Sequence, residues 1–243
     1  MPTGIIVNGA AIFIGGLIGG LAGHLLSEKF KEEINLIFGI SSMVMGIIAI
    51  APAKNMAAVI FAIIIGTALG LVLHFGVWIN RGAGLMQRGI AKIAPVKSGM
   101  PEEEFMSTLI TVIVLFTASG TGIYGSLVNG MTGDSTILIS KSILDFFTAI
   151  IFAANLGYVV SFIVVPQFII LYILFLLAGV IYPLTNPAMI ADFKAVGGAL
   201  MMATGFRITK IKIFPTADMI PSMILAMPFS WAWMNWILPM LTN

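Results

Sequence analysis

The chain of 243 residues contains no cysteine, which excludes disulfides, thiolate metal sites and cysteine nucleophiles. It has only two histidines, too few to build a histidine-rich metal centre by themselves. Charge is also scarce. Lys and Arg total 12 and Asp and Glu total 10, or 9% of the residues, where a soluble domain carries about 25%. Such a chain cannot cover a water-facing surface, so a soluble enzyme is excluded. The net charge of +2 is too small to point to nucleic acid as a partner. The amino terminus lacks the charged start and the small-residue cleavage site of a signal peptide, so its first apolar run is expected to remain as a membrane span. There is no H-E-x-x-H, no G-x-S-x-G and no Walker loop. The chain is therefore not expected to be an enzyme, and no cofactor is expected. Any transport is expected to be passive, ion-coupled or driven by a partner.

What is present is apolar: 59% of the residues are hydrophobic. Backbone groups in lipid must be paired within the protein, so these stretches are expected to be helices. Length and pattern predict an all-α integral membrane protein with about eight transmembrane helices, at about 20 residues each. The spans are expected at residues 4–26, 34–51, 56–79, 105–131, 136–157, 159–182, 188–206 and 218–238. The fifth and sixth have no charged residue between them and could instead form one broken or re-entrant unit. The whole of residues 1–243 is expected to form a single transmembrane domain, leaving no room for a soluble one.

Charge placement orients the spans. With eight passes, one side carries Lys29, Lys31, Arg81, Arg88, Lys92, Lys97, Arg207, Lys210 and Lys212, and the other carries Lys54. This positive-inside bias puts both termini outside the cytoplasm. Trp231, Trp233 and Trp236 fall at the outer end of the last span, where an aromatic belt is expected. In the loop after the third span, Leu85, Met86, Ile90 and Ile93 share a helical spacing among Arg81, Arg88 and Lys92. That segment reads either as a basic helix on an anionic leaflet or as a solvated loop. Glu102, Glu103 and Glu104 then suit a helix start.

Two segments share a loose plan. Residues 4–80 and 105–182 each begin with a glycine-rich helix and follow with a helix that carries serine near its start. A unit with an odd number of spans inserts in opposite orientations, so these could be inverted three-helix repeats, with two extra helices at 188–240.

The fifth span carries the clearest polar stripe. Lys141, Asp145, Thr148 and Asn155 lie on one helical face, and Asp134 joins it if the helix extends back. Such a stripe faces a bundle interior or a watery cavity. Asp145 and Lys141 are expected either to serve an ion or substrate pathway, with Asp145 as ligand or proton carrier, or to lock two helices as a neutralised pair. In the fourth span Ser119, Thr121 and Asn129 stand among glycines, which reads as close packing or as a partly unwound, ion-coordinating helix. Gly15, Gly19 and Gly23, with Gly16 and Gly20 beside them, read as packing rows within a protomer or in a homodimer. Asn186 and Pro187 signal a helix start. Asp192 beyond them reads as an interfacial residue or as the lining of an outer vestibule. Pro166 and Pro228 are candidate kinks, Gln167 a candidate polar contact, and His74 an interfacial anchor.

Several segments resemble one bacterial membrane family. They are the opening Gly4-Ile5-Ile6-Val7-Asn8-Gly9 with its glycine row, residues 125–130 with Gly133-Asp134, Lys141-Ser142-Ile143-Leu144-Asp145, and residues 195–205 ahead of Pro215. The family is domain of unknown function 554, and the resemblance runs over essentially the whole chain. It implies a protein of the bacterial inner membrane and carries a label of possible sodium channel or pump. The expectation is a transporter or channel for a small monovalent cation, Na⁺ or H⁺. Its site would lie near the midplane on the fifth helix, with Asp145 as the Na⁺ ligand and Thr148, Asn155, Ser119, Thr121 and Asn129 as neutral oxygens. The other expectation is a non-transporting scaffold or accessory subunit.

Overall fold

The computed structural model describes residues 1–93 and 102–242. The expected site residues all fall within them, whereas Lys97, counted in the charge tally, lies outside. The helices are α1 (Thr3–Ala22), α2 (Glu28–Ile50), α3 (Met56–Val72), α4 (Phe75–Ile93), α5 (Glu102–Thr117), α6 (Gly120–Thr132), α7 (Thr136–Leu156), α8 (Val164–Ile181), α9 (Pro187–Ile208), α10 (Ile220–Ala232) and the short α11 (Leu238–Thr242). No strand occurs among the described residues.

Six stretches are long and apolar enough to cross a membrane: Thr3–Ala22, Glu28–Ile50, Thr108–Thr132, Thr136–Leu184, Pro187–Ile208 and Ile220–Leu241. The pair α3 and α4, bent by 63° at its break, makes a seventh if it is counted as one span. The fourth stretch is 49 residues long. A straight helix of that length would measure about 74 Å, against about 30 Å of hydrocarbon. It is divided at Gly157, whose φ of +76° only glycine adopts readily, and a 3-10 turn over Gly157–Ile163 follows. Contacts along α1 give the directions. Gly4 lies against Leu138, Gly19 against Ile150 and Gly23 against Ala154, whereas Gly20 meets Tyr158, Gly16 meets Ser161 and Gly9 meets Val164. α7 therefore runs with α1 and α8 runs against it. The fifth and sixth expected spans are thus two antiparallel segments joined at this turn.

Two expected spans are broken. The third ends its first helix at Val72, and His74 takes a left-handed φ of +52° before α4 begins. The fourth divides into α5 and α6 around Ala118 and Ser119. There Ser119 caps α6, its Oγ accepting the Gly122 N–H at 3.1 Å, while Thr117 turns its hydroxyl back onto Ile113 O at 2.7 Å. Serine at an N-cap starts a helix, and a back-bonded threonine bends the one before it. Gly133, with φ +76°, closes α6.

The chain divides into two compact units. The first comprises Met1–Ile37 and Trp78–Gly179, the second Phe38–Val77 and Val180–Asn243. In the first, α1 lies on α7 closely enough that a Cβ on Gly19 would sit 2.2 Å from Ile150 O, and one on Gly15 2.4 Å from Phe146 O. Its other glycine row, Gly16 and Gly20, meets Ser161 and Tyr158. Both rows are thus taken by the chain's own elements. Ile12, Leu109, Val112, Ile113, Phe116, Ala149, Val160 and Ile163 form the core around them. On α8 the stripe Val165, Ile169, Ile173, Leu176 and Val180 is exposed while Gln167, Leu171 and Ala178 are buried. An exposed apolar stripe of that length is a lipid-facing surface.

In the second unit the end of α2 packs against α9, with Gly46 opposite Gly198 and Gly39 opposite Gly205. α3 packs against α10 and the turn ahead of it, with Gly66 at Ser222 and Gly70 at Asp218. α9 starts as its sequence signals: Pro187 opens the helix and the Asn186 side chain accepts the Met189 N–H at 3.0 Å. Pro228 sits inside α10, and a single π-helical turn over Trp233–Ile237 follows.

Candidate functional site

The polar centre of the first unit is built on α7. Lys141 and Asp145 are four residues apart, so they lie one turn above one another on one face, and both are buried. The Lys141 Nζ pairs with Asp145 Oδ2. The same oxygen accepts the side-chain amide of Asn8 on α1 at 2.8 Å. Asn8 Oδ1 in turn accepts Nε2 of Gln167 on α8. Three antiparallel or parallel neighbours thus meet in one hydrogen-bonded chain, Gln167 to Asn8 to Asp145, with Lys141 closing on the carboxylate.

The broken span borders this group. The Lys141 ammonium stands 5.9 Å from the centroid of the Phe116 ring on α5. A Cβ on Gly122, in the first turn of α6, would lie 3.2 Å from Lys141 Cε and 3.4 Å from Leu171 on α8. The start of α6 therefore sits beside the lysine, and a Cβ there would crowd its side chain.

The geometry of the carboxylate is uneven. Both donors, Asn8 and Lys141, go to Oδ2, and among the described residues none reaches Oδ1. The Asp145 side chain keeps 11% exposure and Lys141 4%. Gln167 Oε1 is buried without a partner among the described residues, as are Ser126 Oγ and Asn129 Oδ1 on α6. A buried polar oxygen with no protein donor is costly unless a water, ligand or ion satisfies it.

The structure brings Lys141 and Asp145 together and places the other expected residues elsewhere. Thr148 is half-buried one turn further along α7. Asn155 is exposed near the end of α7, where its Oδ1 accepts Lys31 Nζ at 3.3 Å. Ser119 serves as the α6 cap. Thr121 is buried in the first turn of α6. Asn129 donates to Ser135 Oγ at 2.9 Å. Asp134 is exposed ahead of α7, accepting the Thr136 N–H at 2.9 Å, so the helix does not extend back to it.

Asp192 belongs to the second unit and is buried with 1% exposure. Its Oδ1 accepts the Lys54 and Asn55 N–H groups at 2.8 and 2.9 Å. Its Oδ2 accepts Asn55 Nδ2 at 2.8 Å and Ser230 Oγ at 2.6 Å. Two donors on each oxygen saturate this carboxylate and pin the start of α3 to α9 and α10.

Sequence reasoning did not single out Asn8, Asn55 or Ser230. The signal for Asn8 was present, because it is the lone amide in an otherwise apolar and glycine-rich 20-residue helix. A polar side chain in such a place needs a partner.

A helical bundle with this many apolar spans, exposed apolar stripes and buried ion pairing is a multi-pass membrane protein. The chain belongs to the family described as Protein of unknown function (DUF554), whose model matches residues 3–231. It is 42% identical over 236 residues to "Uncharacterized protein YqgA" of Escherichia coli (strain K12), covering 97% of this chain and 99% of that one. It is 25% identical over 226 residues to "Uncharacterized membrane protein YdfK" of Bacillus subtilis (strain 168), covering 91% and 93%. No solved structure matches it.

Proposed function

We propose that the protein is a transporter or channel for a small monovalent cation and that Asp145 is the charged ligand of its site. The observation that carries this reading is the uneven carboxylate: it is buried, bonded on Oδ2 alone, and free on Oδ1 among the described residues. A carboxylate kept only as a lock is expected to be saturated, as Asp192 is. Lys141 then acts as a tethered competitor, its ammonium holding the place that a Na⁺ ion or a proton takes. A lysine in that role sets how tightly the cation binds.

In this reading α1, from the first of the two expected repeats, and α6, α7 and α8, from the second, surround the site within the first unit. Asn8 comes from the first repeat and Lys141, Asp145 and Gln167 from the second, which supports a site built where the two meet. The break between α5 and α6 beside Lys141 fits the discontinuous helices that line transporter sites. We place the protein in the bacterial inner membrane with both termini outside the cytoplasm, on the distribution of Lys and Arg. It acts without enzymatic chemistry or a cofactor, and its partners are lipid and the ion.

The test is flux in proteoliposomes with Na⁺, K⁺ and H⁺ gradients. Asp145→Asn abolishes flux and Lys141→Ala changes its half-saturating ion concentration. If both variants match wild type in rate and half-saturating concentration, the site assignment is wrong. A second reading, a membrane scaffold, is favoured by Asp192, because that residue is a buried carboxylate used as a lock in this same chain. A stable stoichiometric partner and no flux would support it.

A further inference from the structure

We infer that α4 lies at the membrane surface and binds the anionic phospholipid headgroups of the leaflet beside it. Arg81 and Arg88 take the lipid phosphates, and Trp78 and Leu85 anchor the helix at the level of the headgroups. The inference uses none of the residues of the Asp145 centre and stands whether or not the protein transports an ion.

The two faces of α4 are used differently. One is spent on the protein. Ala83 and Ile90 are buried in one core with Phe105 and Leu109 of α5, and Gln87 donates to the Met106 sulfur at 2.8 Å. The opposite face is open. Trp78 is 64% exposed and Leu85 68%, and Arg81 and Arg88 are exposed beside them. A Cβ on Gly82 or Gly89 would have nothing within 4 Å. Helical spacing sorts this face into two adjacent lines, Trp78, Gly82, Leu85 and Gly89 in one and Arg81 and Arg88 in the other.

The arginines have no counter-charge in the chain. α4 carries Arg81, Arg88 and Lys92 and no Asp or Glu. The ion pairs among the described residues are Lys31–Glu28 and Lys141–Asp145, so neither arginine has a carboxylate there. Arg81 stands over the Trp78 ring at 5.5 Å, a contact that uses its charge and leaves its N–H donors in need of oxygen. Hydrocarbon would leave two unpaired guanidiniums facing lipid. Water would leave the Trp–Leu line uncovered. The headgroup layer suits both lines, because an indole belongs at that depth and a guanidinium meets phosphate with two parallel N–H bonds. The place in the chain fits as well. α3 has 17 residues, about 26 Å of helix, which nearly crosses the hydrocarbon by itself. After His74, α4 turns from it by 63°.

The experiment uses the full-length protein, which has no cysteine of its own. A bimane probe on Leu85→Cys reports the depth of the open face in liposomes. Lipids brominated near the ester end of the acyl chain quench it, and aqueous iodide does not. Headgroup preference is read from the melting temperature in detergent, titrated with phosphatidylglycerol, with phosphatidylcholine or with inorganic phosphate. Phosphatidylglycerol stabilises wild type, and neither of the other two matches it. Arg81→Gln with Arg88→Gln raises the half-effective phosphatidylglycerol concentration on the order of tenfold. Arg81→Lys with Arg88→Lys, which keeps both charges, retains most of the effect. If the double glutamine variant does not fold, Arg88→Gln alone is read in the same way, with a change of roughly fivefold. A wild-type response to phosphatidylglycerol in the glutamine variants overturns the inference. An equal response to inorganic phosphate also overturns it, because it assigns a site for a soluble anion. So does a probe that iodide reaches or that no brominated lipid quenches, which puts the face in water or against another protein.

Discussion

Asn8 and Asp145 stand 137 residues apart in the chain and are joined by a 2.8 Å hydrogen bond between their buried side chains. Asn55 and Asp192 are also 137 residues apart and are joined by a bond of the same length and kind. Each unit thus holds an Asn on a helix-borne Asp, Asn8 from within α1 and Asn55 from the position that precedes α3. A hydroxyl repeats as well: Ser161 donates to Phe13 O in the first unit and Ser222 to Ile63 O in the second. The two carboxylates differ in what else reaches them. Asp145 has a lysine one turn earlier, whereas the residue one turn before Asp192 is Ala188. The second carboxylate is filled by two backbone N–H groups and a serine instead.

Replacing Asn8 should weaken the fold and the site together. Asn8→Leu removes the donor to an ionised oxygen and strands Gln167, at a cost of about 2–3 kcal/mol. The melting temperature of the purified protein measures it. A variant as stable as wild type would mean that the amide chain does not hold α1 to α7 and α8.

Asp192 should separate stability from transport. Asp192→Ala leaves four donors without their acceptor, for a loss of at least about 3 kcal/mol. Flux per folded molecule should remain close to wild type. A folded Asp192→Ala protein that does not transport would place Asp192 in the pathway and contradict its role as a saturated lock.

Glycines should divide by what a Cβ would meet. Gly19→Val forces a side chain onto Ile150 O, where the backbone cannot yield, and should cost about 3 kcal/mol or prevent folding. Gly82 on α4 has nothing within 4 Å of its Cβ position. Gly82→Ala should therefore be neutral or add up to about 1 kcal/mol from helix propensity. Heat-stability curves of the two variants side by side check the contrast, and equal effects would reject the packing described for α1.

Topology can be read directly, because the chain has no cysteine of its own. Thr132→Cys lies at the exposed end of α6, and Lys210→Cys lies after α9. An impermeant thiol reagent on intact cells should label the first at once and the second only after permeabilisation. The reverse pattern would turn the molecule over.

Much of this architecture was legible in the sequence. Apolar run length gave the helices, Asn186-Pro187 gave the start of α9, and the i, i+4 spacing gave the Lys141–Asp145 pair. The glycine rows of α1 announced its close packing. The breaks at Leu73–His74 and Ala118–Ser119 were harder to see, because apolar residues continue through them and the interruption lies in backbone angles and hydroxyl caps. The partners of Asp145 were harder still. Helical periodicity relates residues on one helix, so it pointed along α7 to Thr148 and Asn155. The bonds run across to α1 and α8, where a single Asn and a single Gln carry no periodic signal. Asp192 reads from the sequence as an interfacial charge or a vestibule lining because it falls five residues into its helix, and only the fold supplies the loop amides and Ser230 that saturate it.

The most direct test of the central claim is ion flux by the wild-type protein and by Asp145→Asn, reconstituted at equal density and imposed in turn with Na⁺, K⁺ and H⁺ gradients. The account predicts flux of a monovalent cation in wild type and none in the variant. Equal flux in both, from protein shown to be folded and inserted, would contradict it.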